Sequence, residues 1–352
     1  MASKGGGAPR LSIVIPAADV AALEETLVSV LENRPADCEI VAALAVPYAD
    51  PWNIAEEVTF VPAPVGAGLV DCVNLGVAAS TGEIVHVLAA GWRATEGWAD
   101  AALARFDDQE VAAVVPLTVA ADDRGRVVAA GIRRTRGGRS VTNVPGRGAR
   151  RIDAFKAGDV PTASAPAIEA GFWRAESLPR RGFSKACGDK FAAADMAATI
   201  FCAGERTVVE PGSRVVGGAN VRRPSPYYEG LYAERLFWRS LAGEPVIPAM
   251  LSHTVEVARH AVASAPMGTF SMLAGRLTAL VQFGSCLARA RELNALQAKA
   301  GARRRAAAEE ARSRTLRIDE GHALPSRPRR PAAQPAGRTV ATGQESPLRR
   351  SA

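Results

Sequence analysis

The chain is poor in the residues that most often announce a site. Its 352 residues hold four histidines and five cysteines. The cysteines (Cys38, Cys72, Cys187, Cys202 and Cys286) are scattered, odd in number and without a Cys-x-x-Cys pair. That excludes a zinc knuckle and a disulfide framework and fits a reducing cytoplasm. His253 and His260 stand seven apart, with Glu256 between them. A helical metal pair needs the closer i, i+4 spacing and a further ligand. His86 sits inside an apolar run and reads as a satisfied core residue. No apolar run reaches the roughly 18 residues of a membrane-spanning helix, and the opening MASKGGGAPR lacks the apolar core of a secretory signal. A cytoplasmic location is expected, peripheral at the inner membrane face at most.

The body of the chain also lacks an excess of either charge. The net charge is +7, but residues 301–352 hold twelve Arg and five acids. The first 300 residues are left with 31 basic and 31 acidic groups, so no nucleic-acid partner is expected. Beyond residue 312 the sequence is Arg, Pro, Ala, Ser and Gly without periodicity, which reads as a disordered basic tail over 313–352. Such a tail has no amphipathic anchor, so any contact with an anionic membrane surface is expected to be weak and salt-dependent.

What is present is a core. Hydrophobic residues make up 48% and charged residues 22%, the composition of an ordinary globular domain. Residues 1–10 are Gly-rich and read as a disordered N-terminus. LSIVI (11–15), 39–44, 58–61, EIVHVL (83–88) and 111–116 read as strands. They alternate with helical patterns over 20–34, 68–79 and 98–106. That alternation predicts an α/β domain with a mostly parallel sheet flanked by helices. Residues 119–160 break it with short extended runs. They also hold an Arg-rich, acid-free stretch over 131–151 that contains Arg133, Arg134, Arg136, Arg139, Arg147, Arg150 and Arg151. Residues 166–174 and 190–203 look ordered again, the second as a helix. From residue 223 to 312 the pattern is a helical extension. It ends in one long helix over about 266–311 whose Phe270, Leu273, Leu277, Leu280, Gly284 and Leu287 step by three and four. That stripe suits packing on the α/β body or on a protein partner.

Several segments, taken in order, carry a family likeness. LSIVIPAADVAALEETLVSVL (11–31) has Ile15 and Pro16 closing the first strand, with Ala18 and Asp19 on the turn. Glu39-Ile40-Val41 opens the second strand. GAGLVDCVNLGVAASTGEIVHVL (66–88) carries Asn74, Gly76, Ala79, Gly82 and Glu83. Residues 167–211 carry Arg174, Leu178, Gly182-Phe183, Asp195-Met196 and Gly204. Over residues 11–222 the chain resembles the family 2 glycosyltransferases. The resemblance implies the GT-A (Rossmann-like) fold and transfer of a sugar from a nucleotide diphosphate sugar to an acceptor hydroxyl, with inversion. It implies Mg²⁺ or Mn²⁺ as cofactor, and a nucleotide sugar and an unknown acceptor as partners.

The resemblance also implies three acidic sites: one for the base, an Asp-x-Asp for the cation and a Glu-Asp for proton abstraction. Here those places hold Leu44-Ala45-Val46-Pro47, Ala89-Ala90-Gly91-Trp92 and Ala192-Ala193. Alkyl side chains neither coordinate a hard cation nor accept a proton, so the metal ligands expected of the family are missing. Asp195 is the one acid left in the acceptor segment and is the candidate catalytic base; it can equally be a solvated residue or a cap. Pro16, Asp19, Asn74, Gly76 and Arg93 are the candidate nucleotide-sugar contacts. For Asn74 and Gly76, tight helix–sheet packing is the competing reading. Arg93 and the Arg-rich stretch offer guanidinium forks that can replace a cation on phosphate, or else form a variable surface loop. Trp92, Trp98, Phe237 and Trp238 can stack on a sugar ring or simply fill the core. Two functions remain open: a transferase with weak or metal-independent activity, and a non-catalytic relative that acts as a binding or scaffold module.

Overall fold

The computed structural model describes residues 9–144, 151–152, 162–179, 182–218, 224–242 and 244–321. Its strands are β1 (Leu11–Ala17), β2 (Cys38–Leu44), β3 (Val58–Pro62), β4 (Ile84–Leu88), β5 (Arg93–Ala94), β6 (Val111–Val119), β7 (Val127–Ala129), β8 (Ile132–Arg134), β9 (Ser140–Thr142), β10 (Ala170–Arg174) and β11 (Arg206–Val216). The helices are α1 (Val20–Asn33), α2 (Leu69–Ala79), α3 (Trp98–Leu103), α4 (Gly188–Ala203), α5 (Pro226–Arg239), α6 (Val246–Ala263), α7 (Thr269–Val281) and α8 (Phe283–Gly321). The chain divides into two compact units, Met1–Arg304 and Arg305–Ala352. In the second unit only the end of α8 is described. That helix runs to Gly321, past residue 312 where composition places the start of the tail. The remainder of the tail, and residues 1–8, lie outside the described residues.

Among the described residues nine strands form one sheet, in the order β3-β2-β1-β4-β10-β6-β11-β5, with β7 on β6. The first four are parallel, as their continuous apolar runs require of strands covered on both faces. β10 enters antiparallel between β4 and β6, and β11 then runs parallel to β6. The side-chain alternation of each strand divides the core in two. Leu11, Ile13, Ile15, Leu88 and Phe172 meet α1 and α3 on one face, while Val14, Val85, Val87 and Trp173 meet α2 and α4 on the other. Each fully buried Leu, Ile or Val of this set contributes roughly 1.5–3 kcal/mol.

Local chemistry sets the helix limits. The Asp19 carboxylate caps α1 by accepting from Ala22 N–H at 2.8 Å, and the apolar face of that helix is Leu23, Leu27 and Val30. α4 is buried on nearly every side from Phe191 to Ile200 and ends at Gly204, whose φ of 76° suits a residue without Cβ.

The region after residue 260 departs from the sequence reading. In place of one helix over 266–311 there are two, broken at Gln282 and bent by 65°. The expected stripe does not face the body: Phe270 is 84% exposed and Leu277 63%. The buried face is instead Met272, Gly275, Arg276 and Ala279. The reason is Gly275, where a Cβ would stand 2.0 Å from the Tyr227 carbonyl oxygen. Small residues bring α7 against α5, and a larger stripe would hold them apart. Among the described residues no single helix is long and apolar enough to cross a membrane.

Candidate functional site

In an open parallel sheet the carboxyl ends of the strands, and the turns that leave them, form the ligand crevice. Here those turns are held by backbone bonds between neighbours. Ala45 N–H donates to Ala17 O at 2.8 Å, Ala63 to Leu44 at 2.7 Å and Ala90 to Pro16 at 3.1 Å. The segment Ala89–Trp92 is pinned onto α1. Gly91 N–H donates to the Thr26 hydroxyl at 2.8 Å, and that hydroxyl donates to Trp92 O at 2.8 Å. Gly91 has φ 85°, so the turn is tight at this point.

The candidate contacts are distributed around this edge rather than gathered at it. Pro16 lies on the crevice floor, next to Ala90. Asp19 is an exposed helix cap. Arg93 pairs with Glu25 of α1 at 3.4 Å, on the face away from α2 and α4. Asn74 accepts from Phe183 N–H at 2.7 Å and donates to Phe183 O at 2.9 Å, stapling α2 to the segment before α4. A Cβ on Gly76 would stand 2.3 Å from Val14 Cγ1, so that glycine is a contact point between helix and sheet. Arg174 is buried and donates to the carbonyls of Val111, Phe106 and Asp108 at 3.1, 2.8 and 3.1 Å. Of the Arg-rich stretch, Arg133, Arg134, Arg136 and Arg139 belong to an ordered hairpin, β8–β9, and Arg151 bridges to Arg126. Arg134 and Arg136 pair with Glu244, Arg139 with Glu256, and Arg151 with Asp123. Arg147 and Arg150 lie outside the described residues.

Asp195 is 2% exposed. Arg239 grips it from two nitrogens at 2.9 and 3.0 Å, and Arg289 stands at 3.6 Å. Although burial works against the Arg239 charge, the hydrogen bonds and charge of Asp195 hold that guanidinium more firmly protonated than usual. This pair lines a cleft of about 1210 Å³ with Asn74, Ser184, Lys185 and Arg289, roofed by Pro64–Ala67. The cleft adjoins α2 rather than the turn at Ala89.

The aromatic candidates are mostly structural. Trp98 is fully buried and donates from Nε1 to His86 Nε2 at 3.1 Å, while His86 Nδ1 faces Gly171 O at 3.0 Å. Burial lowers His86 to about 3, so the ring is neutral. Phe237 stacks on His253 at 3.7 Å. His253 Nδ1 is 2.9 Å from Gly137 O and its Nε2 3.1 Å from Glu234, which also takes a 2.6 Å hydrogen bond from Arg276. His260 Nδ1 lies 3.0 Å from Arg276 of α7, so the two histidines of α6 serve the packing of α5, α6 and α7.

Two carboxylates near the edge escape a reading by motif. Asp189 accepts from Leu69 N–H and Val70 N–H, both at 3.1 Å, and so caps α2 from 120 residues away. Glu169 immediately precedes β10, and its carbonyl accepts from Ala89 N–H at 2.8 Å. Its side chain makes no hydrogen bond or ion pair with any other described residue. Burial raises its carboxyl above the usual range, its own N–H works the other way, and the charge of Asp189 adds to the rise. The signal in sequence was faint: a lone Glu between Ile168 and Ala170 at the start of an apolar run.

The residues present do not suit a divalent cation. The turn after β4 offers Ala89, Ala90 and Gly91, and among the described residues no group of three or more His, Cys, Asp or Glu is placed to hold a metal ion.

No family model and no curated protein matches this sequence. Solved structures do. The structure of S. aureus TarS 1–349 in complex with UDP-GlcNAc superposes with TM-score 0.53 at 12% identity, over 84% of this chain and 92% of that one. A mannosyltransferase from Pyrobaculum calidifontis in complex with GDP-Man and Mn²⁺ gives TM-score 0.48 at 18% identity, over 83% and 85%. GalNAc-T7 with UDP, GalNAc and Mn²⁺ gives 0.48 at 15%, over 67% of this chain, which spans 48% of that chain. The fold is that of the GT-A glycosyltransferases.

Proposed function

We propose that this protein is a family 2-type glycosyltransferase that binds a nucleotide diphosphate sugar at the carboxyl edge of β1, β2 and β4 and transfers the sugar without a protein-held divalent cation. The observation that carries the reading is the pairing of an intact crevice with an alkyl metal turn. The turns at Ala17, Leu44 and Leu88 keep their backbone bonds, while Ala89-Ala90-Gly91 offers no ligand. UDP-GlcNAc and GDP-Man are the donors bound by the structural neighbours, and they are the first two to try. Without a cation, the charge of the departing diphosphate falls to fixed dipoles and side-chain cations. Lys185 and Lys190, at the amino end of α4, line a cavity of about 410 Å³ with Tyr232, where Lys185 pairs with Asp71 and Lys190 with Glu229, and are the side-chain cations we propose for that role.

One observation favours the non-catalytic reading, in which the fold serves as a binding module. Asp195, the candidate base by motif order, has both oxygens engaged by Arg239.

The deciding experiment titrates UDP- and GDP-sugars calorimetrically and follows release of nucleoside diphosphate with Mn²⁺ and with EDTA. Binding with EDTA-insensitive release is expected. Binding without release establishes the binding module, and no binding of any donor overturns both.

A further inference from the structure

The outer faces of α6 and α7 are apolar and uncovered. α6 exposes Ile247, Leu251, Val255, Ala258 and Val262, and α7 exposes Phe270, Ala274, Leu277 and Val281. At about 3.6 residues per turn each set falls on one stripe roughly 100° wide. Met267, on the turn between the helices, is 92% exposed. The opposite faces are seated on α5. His253 of α6 lies 3.1 Å from Glu234, while Gly275 and Arg276 of α7 meet Tyr227 and Glu234. The helices also hold each other, as the Thr269 hydroxyl donates to Ala261 O at 2.9 Å and Arg276 donates to His260 Nδ1 at 3.0 Å. Both stripes therefore look away from the body as neighbouring parts of one surface. Single exposed apolar residues are ordinary, but a contiguous patch marks a docking site.

Charge selects the occupant. The residues of the two stripes carry no charged side chain, and Thr254 is the polar group among them. The exposed charges of residues 245–304 are Arg259, Arg291, Lys299, Arg303 and Arg304 against the single acid Glu292. Half-buried Arg289 and Glu256 cancel and leave that excess unchanged. On α8, Leu287 and Arg291 stand four residues apart, so one face carries an apolar and a cationic side chain together. A two-fold dimer through this patch would set it against itself, cation rim to cation rim. An anionic bilayer offers an apolar layer to the stripes and the opposite charge to the rim. Together α7 and α8 have the length and apolar composition of a membrane span, but the pair bends by 65°. That bend suits helices lying along a bilayer surface rather than crossing it.

We propose that the outer face of α6 and α7 docks on an anionic lipid bilayer, with Met267, Phe270, Leu277 and Val281 below the headgroups and Arg259, Arg291 and Lys299 against them. The inference is independent of the nucleotide-sugar reading, because no residue of this face belongs to the proposed donor site. It also differs from a contact made by the basic tail. Charge attraction alone is screened by salt, whereas burial of an apolar face persists when salt is raised.

The test sediments the full chain with vesicles of phosphatidylcholine alone and of phosphatidylcholine with phosphatidylglycerol. A first variant carries Phe270→Ser, Leu277→Ser and Val281→Ser together. These positions are exposed, so its melting temperature should stay at the wild-type value. Wild type is expected on the phosphatidylglycerol vesicles, with part of the binding surviving about 0.5 M salt, and the serine variant should partition about tenfold less or weaker still. A second variant, Arg291→Gln with Lys299→Gln, should lose affinity for the anionic vesicles and not for the neutral ones. Phe270→Trp places a reporter on the face, and brominated lipids should quench it beyond the wild-type tryptophans. Wild type that binds neither vesicle overturns the inference. So does a serine variant that binds as well as wild type, which assigns the contact to the tail. Sedimentation velocity gives the remaining outcome. A wild-type dimer that the serine variant dissociates, without vesicle binding, overturns the inference in favour of a second copy of the chain.

Discussion

Arg239 of α5 donates from Nε and Nη2 to the two oxygens of Asp195 on α4, at 2.9 and 3.0 Å, with both side chains less than a tenth exposed. Nη2 also reaches the Ser184 hydroxyl at 2.9 Å, and Arg289 of α8 approaches from the other side. The group that motif order offers as a catalytic base is thus the point where α4, α5 and α8 are tied.

Removing one partner strands a buried charge, which typically costs about 3–5 kcal/mol. Asp195→Asn and Arg239→Gln are therefore each expected to lower the unfolding free energy by that order in urea titrations. The double change should cost clearly less than the sum. A full-strength fold in Asp195→Asn together with lost nucleoside diphosphate release would instead place Asp195 in the chemistry.

Gly76 is expected to act through Val14. An added Cβ overlaps Val14 Cγ1, and overpacking of this kind costs about 1–3 kcal/mol. Gly76→Ala should therefore lower the melting temperature, and Val14→Ala in the same chain should recover part of the loss. Donor affinity should follow neither change.

His86 makes stability depend on pH. The unfolded ring takes up a proton below about 6.5, whereas the buried ring stays neutral down to about 3. Stability is full above the unfolded value and falls as pH drops from 6.5 toward 3, by about 1.4 kcal/mol per pH unit for this residue. His86→Gln keeps an acceptor for Trp98 and should flatten the slope between pH 6 and 4 by about that amount in denaturant titrations.

Glu234 joins α5 to α6 through His253 and to α7 through Arg276. Burial alone would raise its carboxyl, but the hydrogen bonds and charges of His253 and Arg276 win, and it lies below the ordinary carboxylate value. Its contribution is present above pH 4.5 and is lost as pH falls below that. Glu234→Gln should expose α7 amides to hydrogen exchange at neutral pH while the sheet amides stay protected.

Much of the architecture was legible because its signals are local. Continuous apolar runs at 11–15, 39–44 and 83–88 name parallel strands, and the 3.6-residue period names the helices between them. β10 was seen only as an ordered stretch, because antiparallel insertion into a parallel sheet is decided by partners far along the chain. The break at Gln282 was missed because the apolar stripe continues across it, whereas the packing of α7 on α5 is set by Gly275. Of the candidate site, the strand ends were legible as places, because they follow from the strand pattern, but the long-range partners of the residues there were not. Asn74 and Gly76 hold α2 against Phe183 and Val14, and Arg93 pairs with Glu25.

The sequence alone determined that the chain folds as an α/β body, that the body is electrically neutral, and that the three places where the resemblance expects acids hold none. Those facts are written in composition, period and order. The tertiary structure decided which of the remaining charged groups are engaged and which is left over. Asp195 is engaged because three helices converge on it, whereas the side chain of Glu169, in the turn before β10, bonds no other described residue. The Asp195–Arg239 pair spans 44 residues, and the free energy of such a pair depends on distance and burial that no local pattern encodes.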